Sequence, residues 1–472
     1  MKEKMKKIAE NIYELPKAAD MLVPGRIFAS DTLFKYIEEM CVKQLSNIAK
    51  LPGIINFSLA MPDVHSGYGF PVGGVAAFDV KNGIISPGGV GYDINCGVRL
   101  LVSTIYKSEF LKKREAVTNQ LKKEIPSGVG IGGKMKFNEK EINEILRYGV
   151  KYFVERGIGE KEDMENCEDA GCLVGANPDR ISQRAKARGK DQLGTIGAGN
   201  HFLEIQEVVE IYDEKIAEAF GLRPGKICVL IHSGSRGLGH QTCSDYLKKC
   251  EEEYGISHLP DRELAYAPIN SKIGQEYLEA MRAAANFAFC NRHIIAHLVR
   301  DSFKKYFPKE ELHLIYDVAH NIVKFEEFFI NNKKVVLCVH RKGATRSFGP
   351  GRDELPKKYK KIGQPILIPG SMGTFSYVLV GTEKAREISF ASTAHGAGRM
   401  LSRTEAKKRF SINSIKEELK KRDIYIGAGS TYGVIEEAPS AYKDVDEVVK
   451  VSHELGIGNM VAKLKPLSVI KG

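Results

Sequence analysis

Residues 55–80, INFSLAMPDVHSGYGFPVGGVAAFDV, and 88–105, GGVGYDINCGVRLLVSTI, decide the reading of the fold. Their apolar runs are short and are cut repeatedly by Gly or Pro, so they read as strands joined by tight loops rather than as helices. The same grammar returns six times: TIGAGNHFLEI at 195–205, KICVLIHSGSRGLGH at 226–240, LHLIYDVAHN at 312–321, VVLCVHRKG at 335–343, PILIPGSMG at 365–373 and ISFASTAHGAG at 388–398. Each joins an apolar, often β-branched run to a Gly-rich or polar loop. Around them lie helical patterns. Residues 31–50 read as an amphipathic helix closed by Leu51-Pro52-Gly53, and 107–124 and 136–156 as charged helical segments. A long helical pattern is bounded by Gly274 and Pro308. Residues 158–192 read as polar and loop-rich, and the C-terminal part as helix alternating with loop, ending Pro466-Leu-Ser-Val-Ile-Lys471-Gly472. Strand and helix mix without a regular βαβ alternation, which predicts a mixed, sheet-rich α+β fold. No repeat, heptad run or composition break divides the chain, so residues 1–472 read as a single unit.

Composition narrows the class. The 472 residues are 43% hydrophobic and 27% charged, an ordinary globular balance with enough apolar surface for a large core. The formal net charge is +11, a surplus that suits a polyanionic partner. No apolar run reaches the ~18 residues of a membrane span. The start, MKEKMKKIAENIYELP, lacks the apolar centre of a signal peptide, so a cytoplasmic location is the expectation. The 9 cysteines are scattered and never form CxxC, which argues against a disulfide framework or zinc ribbon and for reduced, buried fillers. Glycine is abundant, at 46 residues, and gathers beside His, Asp and Asn rather than in a linker.

Two familiar patterns fail on context. Gly128-x-Gly130-x-x-Gly133 matches a dinucleotide fingerprint but follows Lys-Lys-Glu-Ile-Pro-Ser instead of an apolar strand, and Met135 stands where a P-loop needs Ser or Thr. His293 and His297 have the spacing of helical zinc ligands, but the Glu of HExxH is missing and the surroundings are apolar, so a packed helix face is the reading.

A different constellation remains. Asp93 and Cys96 lie in GYDINCG, His201 in GAGNHFLE, His232 in IHSGSRG, His320 in DVAHN and His395 in AHGAGR. Each His ends or follows an apolar run and abuts small residues. Strand ends let a rigid sheet aim side chains into one cleft, and Gly lets a ligand approach the backbone. Imidazole and carboxylate suit a first-row divalent metal, and a thiolate adds a soft ligand. Any one of these His taken alone reads as structural. Five in one setting, with a Cys and an Asp, read as a metal site if they converge.

In order along the chain, PDVHSGYG at 62–69, GYDINCGVR at 91–99, GAGNHF at 197–202, HSGSRG at 232–237 and AHGAGR at 394–399 resemble the signatures of the RtcB family of RNA-splicing ligases. The resemblance implies an enzyme that uses GTP and manganese to join an RNA 2′,3′-cyclic phosphate or 3′-phosphate end to a 5′-hydroxyl end. It implies a histidine–GMP intermediate, with His395 as nucleophile. Neutral imidazole is a competent nucleophile near pH 7, and a phosphoramidate is a good donor for the next transfer. The implied metal ligands are Asp93, Cys96, His201, His232 and His320, with Cys96 bridging two manganese ions. The implied guanylate site takes Asn200, His201, Phe202, Leu203 and Glu204, then His320 and Asn321. It continues with Pro369, Gly370, Ser371, Met372 and Ser376, and closes with His395, Gly396, Ala397, Gly398 and Lys471. A carboxylate such as Glu204 suits the ring N–H and amine of guanine. Asp63 and His65 would support the site. Arg236, Arg399, Arg403 and the basic residues between Arg180 and Lys190 are candidates for RNA phosphate contacts, a solvated face being the other reading of the last group. Transfer RNA halves as substrates and an archease-type activator are the partners the family suggests.

Other classes remain open to the sequence. A metal-dependent RNA-end phosphoesterase would need the metal cluster without a covalent nucleotide. A basic RNA-binding protein with a structural metal would need neither turnover nor GTP. A lysine-adenylating ligase is disfavoured, because no Asp-Gly dipeptide is present for the usual Lys-x-Asp-Gly motif.

Overall fold

The computed structural model describes residues 1–18, 20–428 and 431–472. Among them the α+β expectation holds: two large sheets are flanked by helices. One sheet has seven strands in the order Lys6–Ala9, Ile12–Leu15, Gly25–Phe28, Ser58–His65, Val72–Asp79, Lys333–Lys342, Asn321–Ile330. The other has eight. Its main path runs Leu312–Ala319, Gly97–Tyr106, Lys226–Ser233, Phe202–Ile211, Asn459–Lys471, Ser376–Val380, Pro365–Ile368, and Tyr425–Ala428 pairs in parallel with Asn459–Lys471. The chain steps between the sheets at two places that matter. Residues 80–96, which include the short strand Ile84–Ile85, lead from the first sheet into Gly97–Tyr106, and His320 alone separates Leu312–Ala319 from Asn321–Ile330.

The helix Lys272–Tyr306 anchors the eight-stranded sheet. Ser271 caps it by accepting from the Gly274 amide at 3.1 Å. Its Ile295, Val299 and Phe303 pack on Leu101, Leu203, Val229 and Ile231 of the sheet. Each such fully buried side chain contributes about 1.5–3 kcal/mol. His293 and His297 do not form a metal pair. His293 is buried against the Ile158 carbonyl, 2.8 Å from Nε2, while His297 faces Asp301 at 3.5 Å. All nine cysteines are free, and only Cys172 is not buried. No helix among the described residues is long and apolar enough to cross a membrane.

Two segments differ from the sequence reading. The 31–50 helix is two helices, Asp31–Tyr36 and Glu39–Ile48, because Ile37 and Glu38 are extended. The C-terminal part has the expected helices but ends in a 13-residue strand, Asn459–Lys471. Pro466 cannot donate to a ladder, and the pairing with Phe202–Ile211 shifts register between Pro466 and Ser468 to accommodate it.

Candidate active site

One edge of the eight-stranded sheet gathers five chain segments by register alone. Gly97 pairs with Ala319 on one side and Ser233 on the other, Phe202 pairs with His232, and Lys471 pairs with Phe202. Cys96, His320, His201, His232 and Lys471 therefore stand along one edge although they are spread over 376 positions of sequence. The turn into Cys96 is closed by its own amide on the Asp93 carbonyl at 2.9 Å, and the His320 amide donates to the Cys96 carbonyl at 2.9 Å. Gly234 is obligatory here: a Cβ would sit 2.3 Å from the Asp93 carboxylate.

The side chains converge. Cys96 Sγ lies 3.2 Å from His201 Nε2 and 3.3 Å from His232 Nε2. The candidate ligand atoms of Cys96, His201 and His232 all fall within 4.8 Å of one another. Asp93 Oδ2 is 2.8 Å from His201 Nε2, and His320 Nε2 is 3.4 Å from His232 Nε2. The Ile196 carbonyl, 3.1 Å from His201 Nδ1, can only accept, so it would hold the proton on Nδ1 when Nε2 turns its lone pair to a metal ion. Burial lowers the pKa of His201, His232 and His320, which leaves neutral imidazoles. Burial and then Asp93 hold the Cys96 thiol well above its usual value. Burial pushes the Asp93 carboxyl up, but the hydrogen bond that His201 Nε2 donates when it holds no metal ion, and the charge of Arg236, outweigh it and hold the group low. Nδ1 of His232 and of His320 are buried without a partner. A buried carboxylate, a thiol and three neutral imidazoles with unmet polar atoms fit a divalent transition-metal ion, whose charge would also ionise the thiol.

His395 faces this cluster from the other side. It follows the short strand Ser392–Ala394, and its ring centroid is 4.9 Å from that of His320. Asp63, on the strand Ser58–His65, holds it. Asp63 Oδ2 accepts from the amides of His395 and Gly396 at 3.0 and 3.1 Å and lies 2.5 Å from His395 Nδ1. This leaves Nε2 as the ring nitrogen for chemistry. Gly398 is left-handed at φ 74°, and a Cβ there would sit 2.1 Å from the Asp63 carbonyl. Burial raises the Asp63 pKa, but His395 and then Lys443 more than reverse it. His65 stacks beside His395 at 6.4 Å between ring centroids.

Both walls bound a cavity of about 250 Å³. Of the residues singled out from the sequence, Asp93, Cys96, Asn200, Phe202, His232, His320 and Asn321 line it. So do Pro369 to Met372, His395 to Gly398, Arg399, Arg403 and Lys471. Leu203 does not: its side chain is in the apolar core on the opposite face of the sheet, as strand alternation requires. Glu204 and Ser376 sit beneath the wall. Gln206 Nε2 donates to Glu204 Oε2 at 2.6 Å and to Ser376 Oγ at 2.9 Å, and Ser376 Oγ accepts from the Gly370 amide at 3.1 Å. Glu204 Oε1 is buried without a partner, and burial pushes the carboxyl up to about 8. Lys471 Nζ donates to the carbonyls of Gly199 and His201, and burial brings it down to about 8.

The arginines are committed within the fold. Arg399 and Arg403 pair with Glu437 at 3.1 and 3.3 Å. Arg236 lies over His201, 3.2 Å from Nδ1. Arg180 is tied to Glu276 and Glu279, Lys186 is buried, Arg188 bonds Gln241, and none of them lines the cavity.

The sequence reading passed over Arg292. Fully buried on the long helix, it donates to the Asn95 and Ser233 carbonyls at 2.8 and 2.9 Å, clamping the residues next to Cys96 and His232, and it pairs with Asp317 at 2.8 Å. Lys342, Glu437 and Tyr442 also line the cavity and were not singled out.

Comparison with known proteins places this arrangement. A family model described as tRNA-splicing ligase RtcB matches residues 44–472. The chain is 51% identical to tRNA-splicing ligase RtcB of Archaeoglobus fulgidus and 52% identical to that of Nanoarchaeum equitans, each over 99% of both chains. It is 48% identical to RNA-splicing ligase RtcB homolog 1 of Entamoeba histolytica, over 95% of this chain and 85% of that one.

Proposed function

Because the chain belongs to the RtcB family of tRNA-splicing ligases, we propose that it is an RNA ligase that uses GTP and manganese to seal 3′-phosphate or 2′,3′-cyclic phosphate ends to 5′-hydroxyl ends. The observation that carries the chemistry is His395, pinned by Asp63 2.5 Å from Nδ1, facing Asp93, Cys96, His232 and His320 across one cavity, with His201 against Asp93 and Cys96. Manganese held by those five residues supplies positive charge to the phosphoryl oxygens. His395 Nε2 attacks the α-phosphorus of GTP; the N–P bond forms as the bond to the β-phosphate oxygen breaks, and pyrophosphate leaves. An oxygen of the RNA 3′-phosphate then attacks the same phosphorus and His395 departs, leaving GMP on the RNA. The 5′-hydroxyl attacks the RNA phosphorus, GMP leaves, and a 3′,5′-phosphodiester remains. A cyclic phosphate first takes up water to give the 3′-phosphate. Asp63 fixes the imidazole and stabilises its positive charge while the adduct forms. A bound guanine, with its N–H donors, would draw Glu204 into the ionised form that accepts from them, and Lys471 and the loop Pro369 to Met372 hold the nucleotide. RNA ends, transfer RNA halves among them, are the substrates this reading assigns, and an archease-type protein is the activator it suggests.

The test is incubation with GTP radioactive in its α-phosphate plus manganese, followed by denaturing electrophoresis. The chain should become labelled through an acid-labile, alkali-stable bond, and His395→Ala should carry no label. A wild type that opens cyclic phosphates yet never takes the label would instead be a phosphoesterase.

A further inference from the structure

Tyr68 belongs to the PDVHSGYG motif but has no part in the chemistry above. It is 68% exposed, and it adjoins two residues that line the cavity, Tyr92 through its ring and Lys342 through its carbonyl. The loop that presents it is held from several sides. Gln44 donates to the Gly67 carbonyl at 2.7 Å and accepts from its amide at 3.3 Å. Lys342 Nζ donates to the Tyr68 carbonyl, and the Gly69 amide donates to Asp261 at 3.2 Å. Gly69 is left-handed at φ 67°, with the Glu263 carbonyl 2.6 Å from where a Cβ would lie. Tyr68 meets Tyr92 edge-on at 6.4 Å and 86°, and Tyr92 stacks on exposed His240 at 4.8 Å and 27°. Glu263 fixes Tyr92 through its hydroxyl, at 2.7 and 2.8 Å. Tyr92 lines the cavity, so the three rings make a preorganised aromatic shelf that runs from the reacting centre to solvent.

We propose that the Tyr68–Tyr92–His240 shelf is a nucleobase subsite: an unpaired base next to the reacting RNA end stacks on the exposed face of Tyr68. The inference rests on the RNA-ligase reading. Single-stranded ends are recognised chiefly by stacking on aromatic faces, and a ring held rigid before binding loses little on ordering. The guanylate is provided for elsewhere. Pro369, Met372 and Lys471 share no described contact with Tyr68, whose loop is tied instead to Gln44, Asp261, Glu263 and Lys342.

The experiment measures kcat/KM for sealing a 3′-phosphate RNA to a 5′-hydroxyl RNA, with wild type, Tyr68→Ala and Tyr68→Phe. Each RNA is also made with an abasic terminal nucleotide, one end at a time. Tyr68→Ala should lose about five- to a hundredfold, Tyr68→Phe should stay close to wild type, and labelling by GTP should be unchanged in both. One abasic end should lower wild-type sealing by a similar factor and leave Tyr68→Ala insensitive to the missing base; that end is the one that stacks. Wild-type kcat/KM in Tyr68→Ala, or independent additive losses from the variant and both abasic ends, would overturn the subsite. A wild type that seals no RNA pair would sink the ligase reading itself.

Discussion

The two walls of the cavity are built on opposite terms. The sheet-edge wall brings Cys96, His201, His232 and His320 together by strand register and leaves polar atoms unmet, among them Nδ1 of His232 and of His320. The facing wall holds His395 on a short loop, and one carboxylate engages its ring and two backbone amides. The first has the donor set of a divalent-cation site. The second draws its positioning contacts from the protein itself, although Asp63 Oδ1 is also buried without a partner. Deletions on the two walls should therefore fail in different ways.

The largest effect, and the sharpest contrast, pairs Cys96→Ala with His395→Ala. Cys96→Ala should lose bound manganese, measured by elemental analysis of the folded protein, and with it every step. His395→Ala should keep its manganese, take no label from GTP, and still seal an RNA supplied with GMP already on its 3′-phosphate. Manganese retained with near-normal ligation in Cys96→Ala would return that thiol to the ordinary core. Failure of His395→Ala to seal the preactivated RNA, where wild type succeeds, would mean that the two walls are not separable.

A step smaller is Asp63→Asn. The amide can still accept from the His395 and Gly396 amides but cannot balance an imidazolium. Adduct formation should fall by about 10²–10⁴-fold with manganese content unchanged. Equal loss of metal would show the walls to be coupled through Asp63. Smaller again is Arg292→Lys, which keeps the charge but cannot hold Asp317 and, through a second nitrogen, the Asn95 and Ser233 carbonyls at once. Manganese affinity should weaken about 10–100-fold by titration while circular dichroism stays native. Recovery of sealing at raised manganese would mark a positioning role, and unaltered affinity would rule it out.

How much of this was legible in sequence follows the same division. Strands were legible because β-branched runs ending in glycine leave little else to form. The site residues could be nominated because each sits at such an end. Their convergence was not legible, since it depends on pairing among strands far apart in the chain. Arg292 left a signal that was passed over: Asn286, Asn291 and Arg292 interrupt an otherwise apolar stretch of helix, and buried polar groups are retained where they are bonded. His293 and His297 carry the more conspicuous spacing, but their partners are a carbonyl and a carboxylate. The last strand was not legible because Pro466 argues against an interior strand, and the extra residue Leu467 that shifts the register there is visible only in the pairing with Phe202–Ile211. The kink at Ile37 left no Pro or Gly to read.

The smallest effect concerns Glu204, which the proposed reading sets beside the guanylate and whose Oε1 is buried without a partner. Burial raises its carboxyl to about 8, so between its unfolded value near 4.5 and that value the folded chain binds a proton that the unfolded chain releases. Stability from this residue is therefore fully present below pH 4.5 and is lost as pH climbs to 8. Glu204→Gln keeps the shape and removes the titration. Thermal unfolding of the variant should match wild type near pH 5 and exceed it by about 2–5 °C at pH 8.5. The same substitution puts an amide where guanine needs an acceptor only, so preference for GTP over ATP in adduct labelling should drop. Parallel Tm profiles from pH 5 to 8.5 would mean that Glu204 is not held protonated. An intact nucleotide preference with the stability shift present would place the unpaired Oε1 away from the base. The two readouts separate the cost of burying this carboxyl from its use.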